Sequence, residues 1–281
     1  MKKLLALGLT GVMMLSMAAC GSTKANTDAS SASKNSETAA TTEAKQQFVL
    51  GFDASFPPYG YIDSETNEYV GFDLDLAEEV CERNGWELVK TPIDWEAKDM
   101  ELNSGAIDCI WNGFTMNGRE DVYTWSDPYV DNSQVFVVAA DSDIKTFEDL
   151  AGKVVLVQAD SSALYALEDT ENKELTAVKN SFAELQQVPE YNTAFLNMEA
   201  GAADAVAMDI GVAKYQIASR GDKFVILEET ISSEQYAVGF KLGNETLRDA
   251  VQDTLDEMVA DGTFAQIAEE WGLEDSVCLG K

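Results

Sequence analysis

The 281-residue chain contains no histidine and few cations, with 19 lysines and arginines against 50 acidic residues and a formal net charge of −31. The lack of histidine excludes histidine-based catalysis and most zinc sites. The negative charge argues against binding to nucleic acid or anionic lipid, because phosphate groups would repel the protein surface. We therefore expect no nucleic-acid partner, no metal and no other cofactor.

Cysteines are also scarce, with four in the chain. Apart from Cys20 in the N-terminal segment, the chain has Cys81, Cys109 and Cys278. Three cysteines cannot all pair with one another, and their spacing is not that of metal ligands. Cys81 and Cys109 lie in apolar, periodic segments, so we expect buried free thiols rather than a disulfide.

A long apolar stretch occurs only at the N-terminus, where residues 4–17 follow Lys2 and Lys3. The stretch is short for a membrane span and is typical of an export signal. It leads into MAACG at 17–21, which resembles the lipobox of bacterial lipoproteins. The resemblance implies that residues 1–19 are a signal peptide and that Cys20 is lipidated. The alternative is an ordinary secretory signal with a cysteine nearby.

Residues 20–45 predict a flexible tether, since from residue 21 they are almost all small, polar or charged and can bury little apolar area. A tether after a lipidated cysteine lets a folded body stand away from the membrane. We expect an extracytoplasmic protein that is lipid-anchored to the cell membrane, at the cell surface or in a periplasm.

The remaining 235 or so residues can form one large domain or two small ones. Apolar runs alternate with helical periods, which predicts an α/β fold with mostly parallel strands. The predicted strands are 48–52, 87–90, 107–111, 134–140, 153–158, 174–178, 205–208, 224–227 and 235–241. The predicted helices are 72–85, 94–103, 161–167, 193–200, 210–219, 246–259 and 264–271.

Two α/β cycles in this pattern predict two lobes joined by a two-segment hinge. Lobe 1 would comprise 46–137 plus 233–281, and lobe 2 would comprise 138–232, with crossings near 137–141 and 229–235. A ligand cleft is expected between the lobes, where strand C-termini and helix N-termini converge.

An ordered set of motifs extends over nearly the whole body. The motifs are FVLGFDASFPPYGY at 48–61, YVGFDLDLA at 69–77, TPIDW at 91–95, SGAIDCIWNGFT at 104–115, WSDPYVDNSQV at 125–135, GKVVLVQADSS at 152–162 and AGAADAVAMD at 200–209. Each motif alone is a weak signal. Together, and in this order, they resemble bacterial extracellular solute-binding proteins of family 3, which bind polar amino acids.

This resemblance implies the periplasmic-binding-protein-like fold, also called the Venus flytrap, in which two α/β lobes close on a ligand. It also implies that the lobes capture a free, polar L-amino acid and deliver it to the permease subunits of an ABC importer. We expect a monomer with no enzymatic activity.

Arg119 is the candidate that would bind the ligand carboxylate, since a guanidinium can pair with a carboxylate through two parallel hydrogen bonds. The alternative is a surface arginine paired with Glu120. Thr115 and Ser162 follow strands where helices begin, so their backbone N–H groups are candidates for the same carboxylate. Both could instead be helix caps, and Ser161 competes with Ser162 for this assignment.

Asp209 is the candidate for the ligand ammonium group. It ends a predicted strand and precedes a helix, so its alternative role is helix capping. Gly113 would let the ligand approach the backbone closely.

Four further residues are expected around the ligand side chain. Phe56 and Trp95 match positions where the family places aromatic rings on both sides of the ligand, although either ring could be core packing. Asp53 matches a position that contacts the variable end of the ligand. Gln158 ends a strand and is a weaker candidate.

The ligand's identity stays open at this stage. Glutamine, cystine, lysine and arginine all agree with two aromatic rings and one aspartate. Two other functions remain as alternatives: a ligand-sensing binding protein for a membrane receptor, and an enzyme similar to cyclohexadienyl dehydratase, which shares this fold.

Overall fold

The computed structural model describes residues 45–221 and 223–281. The predicted signal peptide, Cys20 and all but the last residue of the predicted tether lie outside the described residues. Within the described part, no helix has the length and apolar character needed to cross a membrane.

The described residues form thirteen strands and eight α-helices. The strands are β1 Gln47–Phe52, β2 Ser55–Phe56, β3 Gly60–Ile62, β4 Tyr69–Val70, β5 Glu87–Pro92, β6 Cys109–Ile110, β7 Tyr123–Trp125, β8 Val130–Ala139, β9 Val154–Gln158, β10 Glu184–Val188, β11 Ala205–Asp209, β12 Phe224–Tyr236 and β13 Gly239–Lys241. The helices are α1 Phe72–Asn84, α2 Lys98–Ser104, α3 Ser162–Glu168, α4 Lys173–Ser181, α5 Tyr191–Glu199, α6 Ile210–Arg220, α7 Glu245–Asp261 and α8 Thr263–Glu270. Two short 3₁₀ helices are Trp95–Ala97 and Phe147–Leu150.

The first lobe is built on a five-stranded sheet with the order β5-β1-β6-β13-β7. β1 runs parallel to β5 and β6, whereas β13 runs antiparallel to β6 and β7. The short strands β2, β3 and β4 form a separate antiparallel sheet beside it.

The second lobe is built on a five-stranded sheet with the order β10-β9-β11-β8-β12. β9 is parallel to β10 and β11, but β8 is antiparallel to β11 and β12. The fold class, two α/β lobes, is confirmed. The expectation of mostly parallel strands is wrong, because each sheet is completed by antiparallel strands that come from distant parts of the chain.

Two long strands, β8 and β12, connect the lobes. They pair from Val130 with Tyr236 to Ala139 with Phe224, and Tyr236 also forms a bridge with Thr115 of the first lobe. The lobe boundaries at 137 and 233 stay predictions. β8 pairs with β11 of the second sheet from Gln134 onward, which is three residues before the predicted boundary at 137.

Two element predictions are wrong. Residues 174–178, predicted as a strand, lie in α4, and the strand follows as β10. Asn172 starts this helix because its side-chain oxygen accepts a hydrogen bond from the Leu175 N–H. Residues 235–241, predicted as one strand, are divided between the end of β12 and β13.

Helix α1 illustrates how the sequence pattern produces the core. Phe72, Leu76 and Val80 are fully buried against the first sheet, and Gly85 ends the helix in the left-handed conformation with φ of 70°. Cys81 on this helix and Cys109 on β6 are buried free thiols, as expected.

Candidate functional site

Nine of the ten predicted site residues line one cavity between the lobes. They are Phe56, Trp95, Gly113, Thr115, Arg119, Gln158, Ser161, Ser162 and Asp209. The cavity volume is about 20 Å³, which is room for about one water molecule. A second, larger cavity of about 370 Å³ adjoins it and shares Arg119 and Ser162. The predicted residues therefore meet in space, and the cleft around them is nearly closed.

Arg119 presents a partly unpaired guanidinium to this cavity. Its Nη1 donates to the backbone oxygen of Thr115 at 3.0 Å, and its Nη2 is buried with no partner among the described residues. Its Cζ lies 5.2 Å from the centre of the Phe114 ring and 5.0 Å from that of Tyr165. These contacts hold the group in place, and no ion pair to Glu120 occurs in the described part of the chain. A carboxylate at Nη2 would satisfy the free donor.

Asp209 lies at the end of β11 with 4% of its surface exposed. Its carboxylate accepts hydrogen bonds from Asn132 at 2.9 Å, Gln134 at 2.6 Å, Tyr236 at 2.6 Å and Tyr191 at 3.1 Å. The side chain makes no capping bond to α6, so the helix-cap alternative is wrong.

Burial and a nearby carboxylate raise the pKa of Asp209. Desolvation is the larger cause, the charge of Glu234 is the second, and together they raise the pKa to about 6. The hydrogen bonds from Tyr236, Gln134 and Tyr191 oppose this shift. An ammonium ion beside Asp209 would restore the ionised form.

The two serines at the start of α3 have different roles. Ser161 is the N-cap, since its side chain accepts from the Leu164 N–H at 3.2 Å. Ser162 is not the cap, and its Oγ donates to the carboxylate of Glu234. Both serines line the cavity, as does Thr115, whose Oγ1 donates to Glu234 at 2.8 Å.

Asp53 is buried behind Gln158 at one end of the cavity. Gln158 Nε2 donates to Asp53 Oδ2 at 2.8 Å, and the Ser55 N–H donates to Asp53 Oδ1 at 2.8 Å. Desolvation raises the pKa of Asp53 despite these bonds. Asp53 is the one predicted residue that does not itself line the cavity, and it reaches the cavity through Gln158.

The predicted aromatic residues contact the other lobe. Phe56 packs against Tyr191 of lobe 2 with ring centres 6.0 Å apart. Trp95 donates from Nε1 to the backbone oxygen of Asp160 at 3.2 Å. Gly113 has φ of +55°, and a Cβ there would lie 2.9 Å from the rings of Phe56 and Tyr236. Glycine is therefore required for this close approach.

An ion pair also joins the two lobes, and sequence reasoning missed this ion pair. Lys98 Nζ at the start of α2 pairs with Asp160 Oδ2, and the Tyr165 hydroxyl donates to Asp160 Oδ1. Burial lowers the pKa of Lys98, which Asp160 partly offsets. Burial would raise the pKa of Asp160, but the hydrogen bonds from Lys98 and Tyr165 keep it below its usual value. Asp160 has φ of 54°, an uncommon backbone state for this residue type.

Sequence reasoning also missed the polar residues of the connecting strands. Asn132 and Gln134 alternate on β8, and Glu234 and Tyr236 alternate on β12. Residues two apart on a strand share one face. On β8 the two polar residues precede the apolar run at 135–139, and this placement was a signal that the sequence did contain.

Two α/β lobes that enclose a polar cleft at their interface define a solute-binding protein. Residues 48–274 match the family described as bacterial extracellular solute-binding proteins, family 3, and the chain belongs to this family. Members of the family are extracytoplasmic binding components of transport rather than enzymes.

Individual relatives extend over most of the chain. The chain is 29% identical over 276 residues to the L-cystine-binding protein TcyA of Bacillus subtilis, with 98% of both chains covered. It is 26% identical over 266 residues to the L-cystine-binding protein TcyJ of Escherichia coli K12, with 94% of both covered. A solved ABC uptake transporter substrate-binding protein of Streptococcus pneumoniae with bound histidine has a TM-score of 0.77 at 31% identity, covering 82% of this chain and 94% of that one.

Proposed function

We propose that this protein captures a free amino acid with a polar side chain between its lobes and delivers it to an ABC importer. One observation carries the proposal: an unpaired guanidinium nitrogen of Arg119 and the buried carboxylate of Asp209 line the same small cavity. A zwitterionic amino acid needs a cation for its carboxylate and an anion for its ammonium group. Arg119 supplies the cation and Asp209 the anion, and hydrogen bonds to neighbouring residues hold both side chains in position.

The comparisons support this ligand class. The similar proteins are described as binding L-cystine, glutamine, arginine or histidine. These compounds share the α-amino acid group and differ in the side chain. In this chain Gln158, which Asp53 holds through a hydrogen bond, would face that variable end, and Phe56 and Trp95 would pack on its carbon atoms.

We propose that capture works by hinge closure about β8 and β12. A cavity of about 20 Å³ cannot admit an amino acid, so the lobes have to separate before the ligand enters. Closure brings Lys98 to Asp160 and Arg119 to Tyr165. A ligand that contacts both lobes stabilises this state, because the closed state alone satisfies both charged ends. The closed state is then the form that the permease recognises.

We further propose that the protein is a monomer anchored to the membrane through a lipid on Cys20. The MAACG motif after the apolar N-terminal stretch supports the lipid anchor. Mass spectrometry of the membrane fraction would detect diacylglycerol on this cysteine. Cys20→Ser is expected to release the protein into the medium or periplasm.

Calorimetry with purified protein tests the central proposal. The protein is unfolded and refolded to remove bound compounds, then titrated with L-cystine, L-glutamine, L-arginine and L-histidine. We expect saturable binding of at least one, with the melting temperature rising by mass action. If none of the common L-amino acids or cystine binds the refolded protein, the proposal is wrong.

A further inference from the structure

Glu234 of β12 is buried, with 6% of its surface exposed, and its carboxylate is hydrogen-bonded to two residues that line the cavity. Its Oε1 accepts from Thr115 Oγ1 at 2.8 Å, and its Oε2 accepts from Ser162 Oγ. Thr115 belongs to lobe 1 and Ser162 to lobe 2, and both line the cavity. The carboxylate therefore lies where the two lobes and the connecting strands meet.

Glu234 and Asp209 share their hydrogen-bond donors. Asn132 Nδ2 donates to Asp209 Oδ1 at 2.9 Å and to Glu234 Oε1 at 2.7 Å. Gln134 Nε2 does the same at 2.6 Å and 2.7 Å. The arrangement follows from strand order, since β8 lies between β11 and β12 and its Asn132 and Gln134 face the same side. Two carboxylates are thus held close together in a buried place.

This carboxylate pair lacks a positive partner. No lysine or arginine nitrogen of the described residues lies within 4.0 Å of either carboxylate. In addition, Asn132 Oδ1 and Gln134 Oε1 are buried and accept no hydrogen bond from the described residues. Buried acceptors without donors and like charges without a counter-charge both cost free energy. The complementary group is one that has a positive charge and several N–H donors, which is an ammonium ion.

We infer that Glu234 forms, together with Asp209, a two-carboxylate subsite for the protonated α-amino group of the ligand. This inference rests on the proposed function and extends it to the ligand's amino end. Glu234 then makes a free, protonated amino group a requirement for tight binding. Deaminated and N-acylated analogues would leave both carboxylates without a cation and are rejected.

Matched ligand pairs and the variant Glu234→Gln test this inference. The refolded protein is titrated with L-glutamine and glutaramate, L-arginine and 5-guanidinopentanoate, L-histidine and imidazolepropionate, and L-cystine and 3,3′-dithiodipropionate. The two compounds of each pair differ in the α-amino groups. Glu234→Gln preserves the size of the side chain and removes its charge. Glu229→Gln is the matched control, because Glu229 lies on the same strand and its Oε2 accepts from the Phe147 N–H in an exposed position away from the cavity.

We expect Glu234→Gln to weaken binding of the amino acid at least about tenfold. Its affinity for the deaminated compound should not fall, and its melting temperature without ligand should equal or exceed that of the wild type because carboxylate repulsion is relieved. Glu229→Gln should bind as the wild type does.

Three results would overturn the inference. One is an amino-acid affinity of Glu234→Gln within about threefold of the wild type. Another is an equal loss of affinity for both members of a pair together with a lower melting temperature, which would mean that Glu234 only holds the strands together. If the refolded wild type binds none of the four amino acids, the proposed function fails and the inference fails with it.

Discussion

At the scale of single residues, the cleft combines the guanidinium of Arg119 with buried carboxylates, and burial opposes the ionisation of these carboxylates. Desolvation raises the pKa of Asp209 to about 6 and that of Asp73 to about 7. The Asp73 carboxylate also accepts a hydrogen bond from the Gly113 N–H at 2.6 Å, and this bond helps to position Gly113, which lines the cavity. Ligand binding and protonation therefore compete at Asp209.

Ligand affinity should fall as pH falls from 7 to 5. Binding of an ammonium ion needs ionised Asp209, so below its pKa of about 6 the dissociation constant should rise by up to about tenfold per pH unit. The Glu234 carboxylate and the Tyr191 and Tyr236 hydroxyls face Asp209. Burial raises the pKa of both tyrosines further above its usual value, so neither hydroxyl ionises between pH 5 and 7. Calorimetry across this pH range with the bound amino acid measures the effect. A dissociation constant that stays flat from pH 7 to 5 would contradict it.

The free energy of unfolding of the ligand-free protein should rise as pH falls, whereas the ligand affinity should decrease. Asp209 and Asp73 have folded-state pKa values above the unfolded value, so the folded protein binds protons more tightly. Their contribution to the free energy of unfolding is thus largest at low pH and is lost as pH rises through about 6 and 7. Thermal melts of the ligand-free protein should give a higher melting temperature at pH 5 than at pH 7.5. Asp73→Asn should reduce this difference, and an unchanged difference would rule out Asp73 as its source.

Replacing Arg119 with alanine should weaken amino-acid binding by about 2–4 kcal/mol, because the ligand carboxylate loses its paired donors in a buried place. Arg119→Lys should recover part of the loss, since it keeps the charge without the planar fork. Arg83→Ala is the control, as Arg83 pairs with Glu79 and Asp261 at the surface. A change below about threefold for Arg119→Ala, measured by calorimetry, would show that Arg119 does not bind the carboxylate.

Much of the site could be predicted because its residues follow strand ends. Thr115, Ser162 and Asp209 lie after or at the ends of strands, and such positions meet at one edge of a parallel arrangement. Glu234 could not be found this way. Its place beside Asp209 depends on β8 lying between β11 and β12, which is a long-range pairing that local patterns do not specify.

At the scale of elements, periodicity predicted helices more reliably than short strands. The failure at α4 shows why: the segment LTAV at 175–178 is mostly apolar and contains two β-branched residues, Thr176 and Val178, which favour a strand locally. The helix wins because Asn172 caps it and Leu175 buries its side chain against the second lobe. Local propensity was overruled by a cap and a packing contact.

Lys98 of α2 should contribute to closure, because its pair with Asp160 joins the lobes. Lys98→Met preserves much of the side-chain volume and removes the charge, which leaves the Asp160 carboxylate without its cation. We expect about tenfold weaker ligand binding, mainly through faster dissociation. Stopped-flow kinetics would measure this rate. Lys90→Met is the control, since its pair with Glu78 is at the surface of one lobe. Equal dissociation rates in wild type and Lys98→Met would exclude this role.

At the scale of the whole molecule, each lobe contains one five-stranded sheet, residues of both lobes line the cavity, and two long strands connect the lobes. The sequence predicted the two lobes because each contains its own parallel α/β cycle, β5-β1-β6 and β10-β9-β11. The other half of each sheet is antiparallel and was not predicted. Its strands, such as β13, join the sheet from far along the chain, and their pairing depends on the tertiary fold.

Small-angle X-ray scattering of the refolded protein, with and without the amino acid that it binds, tests the central claim most directly. Capture by closure predicts a larger radius of gyration without ligand and a smaller one at saturation, the latter matching the closed cleft described above. Equal radii of gyration, with binding confirmed in the same sample, would contradict a mechanism in which the lobes close around the ligand.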